Sequence, residues 1–448
     1  MSHDTQTTDR TTGEQGSPEE ARVDAREEAR VDARGEARVD ARVEAAFAPV
    51  LERIAAGAVA RERERRLPVA EVDELRRAGF GALRVPVSHG GWGASLEQEY
   101  RLLVRLGEAD SNLPQLLRGH VAFVETQRAQ PDGPLRDEWL HRLAAGDVLV
   151  GNAQAERGAA TEVTTRLEQR GDDLVLTGRK YYSTGTIYSD WIWVGAVRVG
   201  GDRDGERVAL SVRADAPGVT RVDDWAGFGQ RLTGSGTTVF DDVVVDPRQV
   251  IPWGENAERR PLAHAQSLYQ LVLLAALSGT ARAVVRDAVA FVRPRTRTFG
   301  VGGTSSPRED PLVQRVVGRL SSIASSVEAI TLAAVRHVDA ADRAGAGDDD
   351  HGARWEEALV RVFEAQQVVL PLVLEAATSL FEVGGASAVD TELALDRHWR
   401  NARTIASHNP AILRERAVGD YRLNGVLPAT PGAPAGAPAP APAPAPSR

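Results

Sequence analysis

The sequence predicts an α+β chain with a helical N-terminal domain, a central antiparallel β-domain and a C-terminal helical bundle. Three observations carry this. Apolar residues recur at helical spacing from about Phe47 to Asp147. Near Val148 the pattern gives way to short runs rich in Val, Trp, Tyr and Thr, and after Pro261 long helical patterns return. Strands gathered in one stretch, without alternating helices, argue against a doubly wound nucleotide-binding fold. With 448 residues the chain can bury a sizeable core in two or three domains.

Residues 1–46 read as a low-complexity charged arm, disordered or partly helical. From Glu20 the unit EARVDAR recurs with a period of eight as far as Val43. Acids fall at 20, 24, 28, 32, 36 and 40, and arginines at 22, 26, 30, 34, 38 and 42. Each i,i+4 pair of these charges therefore joins like signs, which weakens an isolated helix. A period other than seven also makes a coiled coil the minor alternative.

Residues 47–147 form the helical domain. Val69 to Ala78 alternates at helical spacing, and Leu116, Leu117, His120, Phe123 and Val124 share one helical face. The glycine-rich stretch VPVSHGGWGAS breaks the helices between Val85 and Ser95.

Residues 148–258 form the β-domain. The runs LVGNAQAE, DDLVLTGRKYYSTG, DWIWVGAVRV, RVALSVRAD and GTTVFDDVVVDP are punctuated by Gly, Asp and Pro, as in an antiparallel sheet or small barrel. Residues 259–428 form the C-terminal bundle, with helices over Ala263–Val292, Pro311–Ala344 and Ala353–Phe381. Residues 429–448 are an extended Ala/Pro tail.

Composition narrows the function classes. A net charge of −9 argues against general nucleic-acid binding. With no cysteine, disulfides, thiol catalysis and cysteine-ligated metal sites are excluded. The polar N-terminus lacks the apolar stretch of a secretory signal. The longest apolar run, around Leu268 to Leu277, is shorter than the roughly 20 residues a membrane span needs. The expectation is a soluble, cytoplasmic protein with no nucleic-acid or membrane partner.

Generic motifs mostly fail. GFGQRLTGSG has glycines but sits among strands, so it does not make a dinucleotide fingerprint. No P-loop, nucleophile-elbow serine or HExxH occurs, and the nine histidines lack metal-ligand spacing, so no metal site is expected. Three islands remain. His120 in LLRGHVAFVE lies on an apolar helix face, where a histidine is more often a hydrogen-bonded core residue than a catalyst. Asn152, Thr184, Gln230, Thr233 and Ser235 gather at strand ends and turns, where they either complete turns or bond a polar planar ligand. In RNARTIASHNPAILR, Arg400 and Arg403 share a helical face, and Pro410 should end that helix near His408. That island is either an anion-contacting helix end or a solvated charged turn.

Together these strings resemble the acyl-CoA dehydrogenase superfamily. The resemblance rests on DDWAGFGQRLTGSGTTVF, VRPRTRTFG and the late FEVGGASA, and covers about Phe47 to Pro428. Within it, LLRGHVAF, GNA, LTGRKYYSTG, PREDPLVQ and above all RHWRNARTIASHNPAILRERAVGDYRLNG are similar to flavin-dependent monooxygenases of the dibenzothiophene monooxygenase type. The implied architecture is an N-terminal helical domain, a central antiparallel β-barrel or sandwich and a C-terminal four-helix bundle, assembled as a homotetramer (a dimer of dimers).

The implied activity is a two-component monooxygenase. A separate NAD(P)H:flavin reductase supplies reduced FMN, O2 forms a flavin hydroperoxide, and one oxygen passes to a small sulfur- or nitrogen-containing or aromatic substrate. Many dehydrogenases of the superfamily carry a catalytic glutamate where this chain has Asn409, whose amide cannot act as a general base at neutral pH.

The resemblance makes His120, His408 and Thr184 catalytic candidates, with the imidazoles bonding the peroxide or shuttling its proton. Asn152 and Thr184 would bond the isoalloxazine, and Arg297 the flavin phosphate, from a neighbouring subunit. Gln230, Arg231 and Ser235 are further cofactor-face candidates. Val124 replaces a tyrosine of the dibenzothiophene pattern, Ala155 a hydroxyl residue, Thr184 a serine and Arg414 a lysine, so the substrate stays open. The alternatives are an FAD-dependent acyl-CoA dehydrogenase, and a catalytically inactive relative that uses the arm as a docking element.

Overall fold

The computed structural model describes residues 18–156, 163–252, 262–297, 306–344 and 351–426. The Ala/Pro tail and residues 1–17 of the arm lie outside these. The N-terminal helices are α1 (Pro18–Glu64), α2 (Val69–Arg77), α3 (Leu96–Ala109), α4 (Asn112–Arg128) and α5 (Pro134–Ala145). The strands are β1 (Val150–Ala153), β2 (Arg166–Arg170), β3 (Asp173–Lys180), β4 (Trp191–Val199), β5 (Arg207–Arg213), β6 (Val219–Val222), β7 (Thr237–Val245) and β8 (Val250–Pro252). The C-terminal helices are α6 (Leu262–Val292), α7 (Pro311–Arg343), α8 (His351–Ser379), α9 (Asp396–Ala406) and α10 (Ala411–Asn424).

The arm differs from expectation. Helix α1 runs unbroken through residue 46, where a boundary was predicted. The reason is tertiary packing that begins before Phe47. Val43, Phe47, Val50, Leu51 and Ile54 are buried in the main core. Asp40 accepts from Gln98 Nε2 at 2.9 Å, Glu44 accepts from Arg105 at 2.6 Å, and the Arg42 guanidinium lies 3.9 Å from the Trp92 ring centre. Like-charge i,i+4 pairs oppose the helix by a few tenths of a kcal/mol each, against about 1.5–3 kcal/mol for each large apolar side chain buried. Packing wins.

Helix α3 starts with a capping box: Ser95 Oγ accepts from Gln98 N–H at 3.2 Å, and Gln98 Oε1 accepts from Ser95 N–H at 2.9 Å. It lies directly on α6, because a Cβ at Gly279 would stand 2.3 Å from Val104 O. The apolar run predicted around Leu268 to Leu277 is the middle of α6 and is buried throughout Leu271–Leu277. By length and composition α6 and α7 could each cross a membrane, so the run is part of a longer apolar helix than the sequence reading allowed. In the fold, α3, α4, α7 and α8 cover α6, and α7 presents a stripe of Leu320, Ile323, Val327, Ala334, Val335 and Val338 to the same core.

The β-domain is a mixed sheet ordered β6-β7-β3-β2-β4-β5-β8, with β1 also on β4. It is not wholly antiparallel as predicted. Strand β1 pairs in parallel with Trp191–Val194 of β4, and β2 in parallel with Val197–Val199. Both strands advance along one edge of β4 in the same direction. One sheet face buries Leu167, Leu174, Leu176, Ile192, Val194, Leu210 and Phe240. On α4, Phe123 packs edge-on against Trp139 and Trp193 at 4.9 and 5.4 Å, joining the sheet to the helices.

Candidate active site

Helix α4 lies against β1 with no room for a side chain between them. A Cβ at Gly119 would be 2.6 Å from Asn152 Cβ and 3.0 Å from Asn152 N. Arg118 and His120, two positions apart, therefore leave the helix on opposite sides.

On one side, Arg118 Nη2 lies 2.9 Å from His408 Nε2, in the turn after α9. The guanidinium also sits 5.1 Å from the Tyr269 ring centre, and Tyr269 Oη donates to Asn152 Oδ1 at 3.2 Å. Asn152 N–H donates to Thr184 O at 3.0 Å. The network continues through Asn409, whose Nδ2 donates to Gln270 Oε1 at 2.7 Å. Arg414 Nη1 donates to Gln270 Oε1 at 2.5 Å and to Gln366 Oε1 at 3.0 Å, with its guanidinium 4.5 Å from the Phe363 ring centre. Five segments (α4, β1, α6, α8 and the α9–α10 turn with α10) thus meet in one polar cluster. Among the described residues, no hydrogen bond of Arg118, His408, Asn409 or Arg414 side chains ends on a carboxylate.

Guanidinium groups have no acceptor, so His408 Nε2 must be the unprotonated nitrogen and Nδ1 carries the hydrogen toward Asn409 Oδ1, 3.3 Å away. The charge of Arg118, followed by burial, pushes the His408 imidazole down to about 3, although the residue keeps an exposed face. It is neutral at physiological pH. Burial lowers Arg118 and Arg414 to about 10 each, which leaves both charged.

His120 sits on the other side of α4. Its Nδ1 accepts from Val150 N–H at 3.3 Å, its ring packs on Phe80, and burial pushes it down to about 4. Among the described residues, no hydrogen bond joins it to His408. The two histidines expected to act together are separated by the thickness of the helix.

Thr184 belongs to a second, adjoining cluster. Its Oγ1 is 2.8 Å from Ser235 Oγ, which is 2.8 Å from Thr233 Oγ1, and that hydroxyl donates to Gln230 O at 2.9 Å. Gln230 has φ +52°, and its N–H donates to Asn401 Oδ1 at 2.6 Å while Nε2 donates to Ser111 O at 3.1 Å. Arg231 Nη1 donates to Glu62 O at 3.2 Å, tying the turn to α1. Arg297 stands exposed beyond α6, and no described contact joins it to either cluster.

Near the head of α4 and the Thr184 turn, Gln115 Oε1, Gln230 Oε1 and Ser183 Oγ are buried without a partner among the described residues. Unpaired buried polar atoms are expensive, and a planar ligand carrying both N–H donors and carbonyl acceptors could pair an amide oxygen with its N–H and the Ser183 hydroxyl with a carbonyl. The donor set fits a flavin ring. It does not resemble a metal site. Glu125, His264 and Asp342 do come together elsewhere, but Arg84 lies 2.8 Å from Glu125 and 3.3 Å from Asp342, so the carboxylates are already neutralised.

Sequence reasoning found His408, Asn409 and Arg414 but missed Arg118, Tyr269, Gln270, Gln366 and Asn401. The signal was there in part: Tyr269 and Gln270 interrupt an otherwise apolar stretch of α6, and Arg118 is a charge on a buried helix.

The chain matches the acyl-CoA dehydrogenase middle domain over residues 154–243 and the acyl-CoA dehydrogenase C-terminal domain over residues 271–411. It is 29% identical over 395 residues to dibenzothiophene monooxygenase of Rhodococcus qingshengii, covering 84% of this chain and 92% of the relative. It is 27% identical over 385 residues to the probable FMNH2-dependent monooxygenase SfnC of Pseudomonas putida, covering 84% and 93%. Among solved structures, FMN-bound TdsC from Paenibacillus sp. A11-2 superposes with a TM-score of 0.77 at 26% identity, covering 85% of this chain and 98% of that one. The chain belongs to the acyl-CoA dehydrogenase superfamily, in its branch of flavin-dependent monooxygenases.

Proposed function

We propose that this protein is the oxygenase component of a two-component system, taking reduced FMN from a separate NAD(P)H:flavin reductase and using O2 to oxygenate a small organic substrate. The observation that carries the reading is the neutral and cationic cluster around His408, with the Asn409 amide where a dehydrogenase would need a carboxylate base.

Bound reduced FMN would supply the two electrons that activate O2, one oxygen atom going to the substrate and the other to water. Asn152, Thr184 and Ser235 would hold the ring, aided by the unpartnered oxygens of Gln115, Gln230 and Ser183. Arg297 would contact the phosphate from a neighbouring copy. His408 holds its hydrogen on Nδ1, so Nε2 is free to accept a proton whenever Arg118 turns away. The apolar packing of α4 on the sheet keeps bulk water from the ring side. His120 acts one layer back, holding Val150 and so the register of β1.

The exposed apolar residues Ile412, Leu413 and Leu423 of α10 support assembly with further copies, which we take to be a homotetramer. We assign the chain to the cytoplasm, where NAD(P)H would be available to the reductase.

The test is a stopped-flow experiment. The protein and reduced FMN are mixed without oxygen, then pulsed with O2. Flavin reoxidation much slower than that of free reduced FMN is the expected result. Reoxidation at the free rate, together with acyl-CoA bleaching of a tightly bound FAD, would overturn the reading in favour of a dehydrogenase.

A further inference from the structure

The charge balance of the cluster is uneven. Arg118 is only 6% exposed, and its described partners are an imidazole nitrogen and an aromatic ring. Arg414 is half-buried, and its partners are two amide oxygens and the ring of Phe363. Two positive charges close enough to disfavour one another are held here, and among the described residues neither is hydrogen-bonded to a carboxylate.

Elsewhere this chain pairs its buried arginines with carboxylates. Arg61 meets Asp110 at 3.0 Å, and Arg84 meets Glu125 at 2.8 Å. Arg397 is likewise bonded to Asp287. Burying a charge without a counterion is costly, so the missing acid is expected to arrive with a ligand. Guanidinium groups bind oxyanions through paired N–H donors, and the amides of Asn409, Gln270 and Gln366 beside them can hydrogen-bond the rest of such a molecule.

Resting on the monooxygenase reading, we infer that the substrate is a small organic molecule bearing an oxyanion group, a carboxylate, sulfinate or sulfonate, seated between Arg118 and Arg414. The other source of the same chemistry is the phosphate of FMN, and the experiment separates the two.

Full-length protein is titrated calorimetrically with benzenesulfonate and with its neutral counterpart methyl phenyl sulfone, each with and without oxidised FMN. Binding of the sulfonate about tenfold or more tighter than the sulfone is expected. Arg118→Met and Arg414→Met should each bring the two affinities within about threefold, and Arg118→Lys should keep part of the preference. FMN and riboflavin are titrated into the same proteins. Equal affinity of the wild type for both probes overturns the proposal, and this arm depends on no variant. A preference that survives in both methionine variants also overturns it. So does a loss of FMN affinity, with riboflavin affinity and anion preference intact, which would assign the arginines to the cofactor phosphate. None of these readings requires turnover, so they stand apart from the oxygen-pulse test.

Discussion

Arg118 Nη2 lies 2.9 Å from His408 Nε2, fixing the tautomer of the histidine and suppressing its protonation. Removing the guanidinium should release the tautomer and lift the largest of the constraints on protonation. In Arg118→Met, the His408 imidazole is expected to titrate clearly higher than in the wild type, although burial and Arg414 still hold it below the ordinary histidine value of about 6.5. The pH dependence of its Cε1–H resonance by NMR measures this, and an unmoved titration would separate Arg118 from the electrostatics of the site.

His408→Ala takes away the polar group that bridges α4 and the α9–α10 turn, while the fold keeps its buried cores. The share of consumed reduced flavin that ends as hydrogen peroxide rather than product should rise severalfold. A peroxide assay run beside product analysis reads it. Unchanged coupling removes His408 from the chemistry.

Acid stability should follow the buried histidines. His120 and His398 are each pushed down to about 4, both chiefly by burial. Their unfolded forms take up protons near pH 6.5, so between about pH 6.5 and 4 the unfolded chain binds more protons than the folded one. Stability is then present above pH 6.5 and lost as pH falls. A displacement of this size corresponds to roughly 3 kcal/mol per group once fully developed. The melting temperature at pH 5 should be well below that at pH 7.5, and His120→Gln, which cannot titrate, should make the decline shallower. An identical slope in the variant would contradict the assignment.

Gly119→Ala places a methyl group where Asn152 stands, within 2.6 Å of its Cβ. Helix α4 must shift from β1, at a cost of about 1–3 kcal/mol. The melting temperature should fall by about 1–3 °C, and FMN fluorescence quenching should show affinity about fivefold weaker, because Asn152 and Thr184 move together. Wild-type FMN affinity in this variant would show that the α4–β1 contact does not set the cofactor wall.

How much of this was legible in the sequence depended on how local the signal was. The long helices α6, α7 and α8 were readable because their apolar stripes run over eight turns or more. Strand β2 was not, since Arg-Leu-Glu-Gln-Arg offers one apolar residue, Leu167, and otherwise helix-forming side chains. The charged arm was readable only as disordered or partly helical, because the support for its packed helical end comes from Gln98, Arg105 and Trp92, residues far away in sequence. His408 and Asn409 stood in a distinctive string. Arg118 did not, because a lone arginine in an apolar helix becomes informative only when the absence of an acidic neighbour can be seen in three dimensions.

The Arg118–His408 contact spans 290 residues of sequence. A ribosome adding about 5–20 residues per second releases α4 some tens of seconds before the segment that completes its polar face. During that interval the growing chain has the sheet-side wall but not the imidazole opposite it. Under the proposed function, oxygen chemistry would wait for the end of synthesis, and a prematurely terminated chain would lack the Arg118–His408 contact.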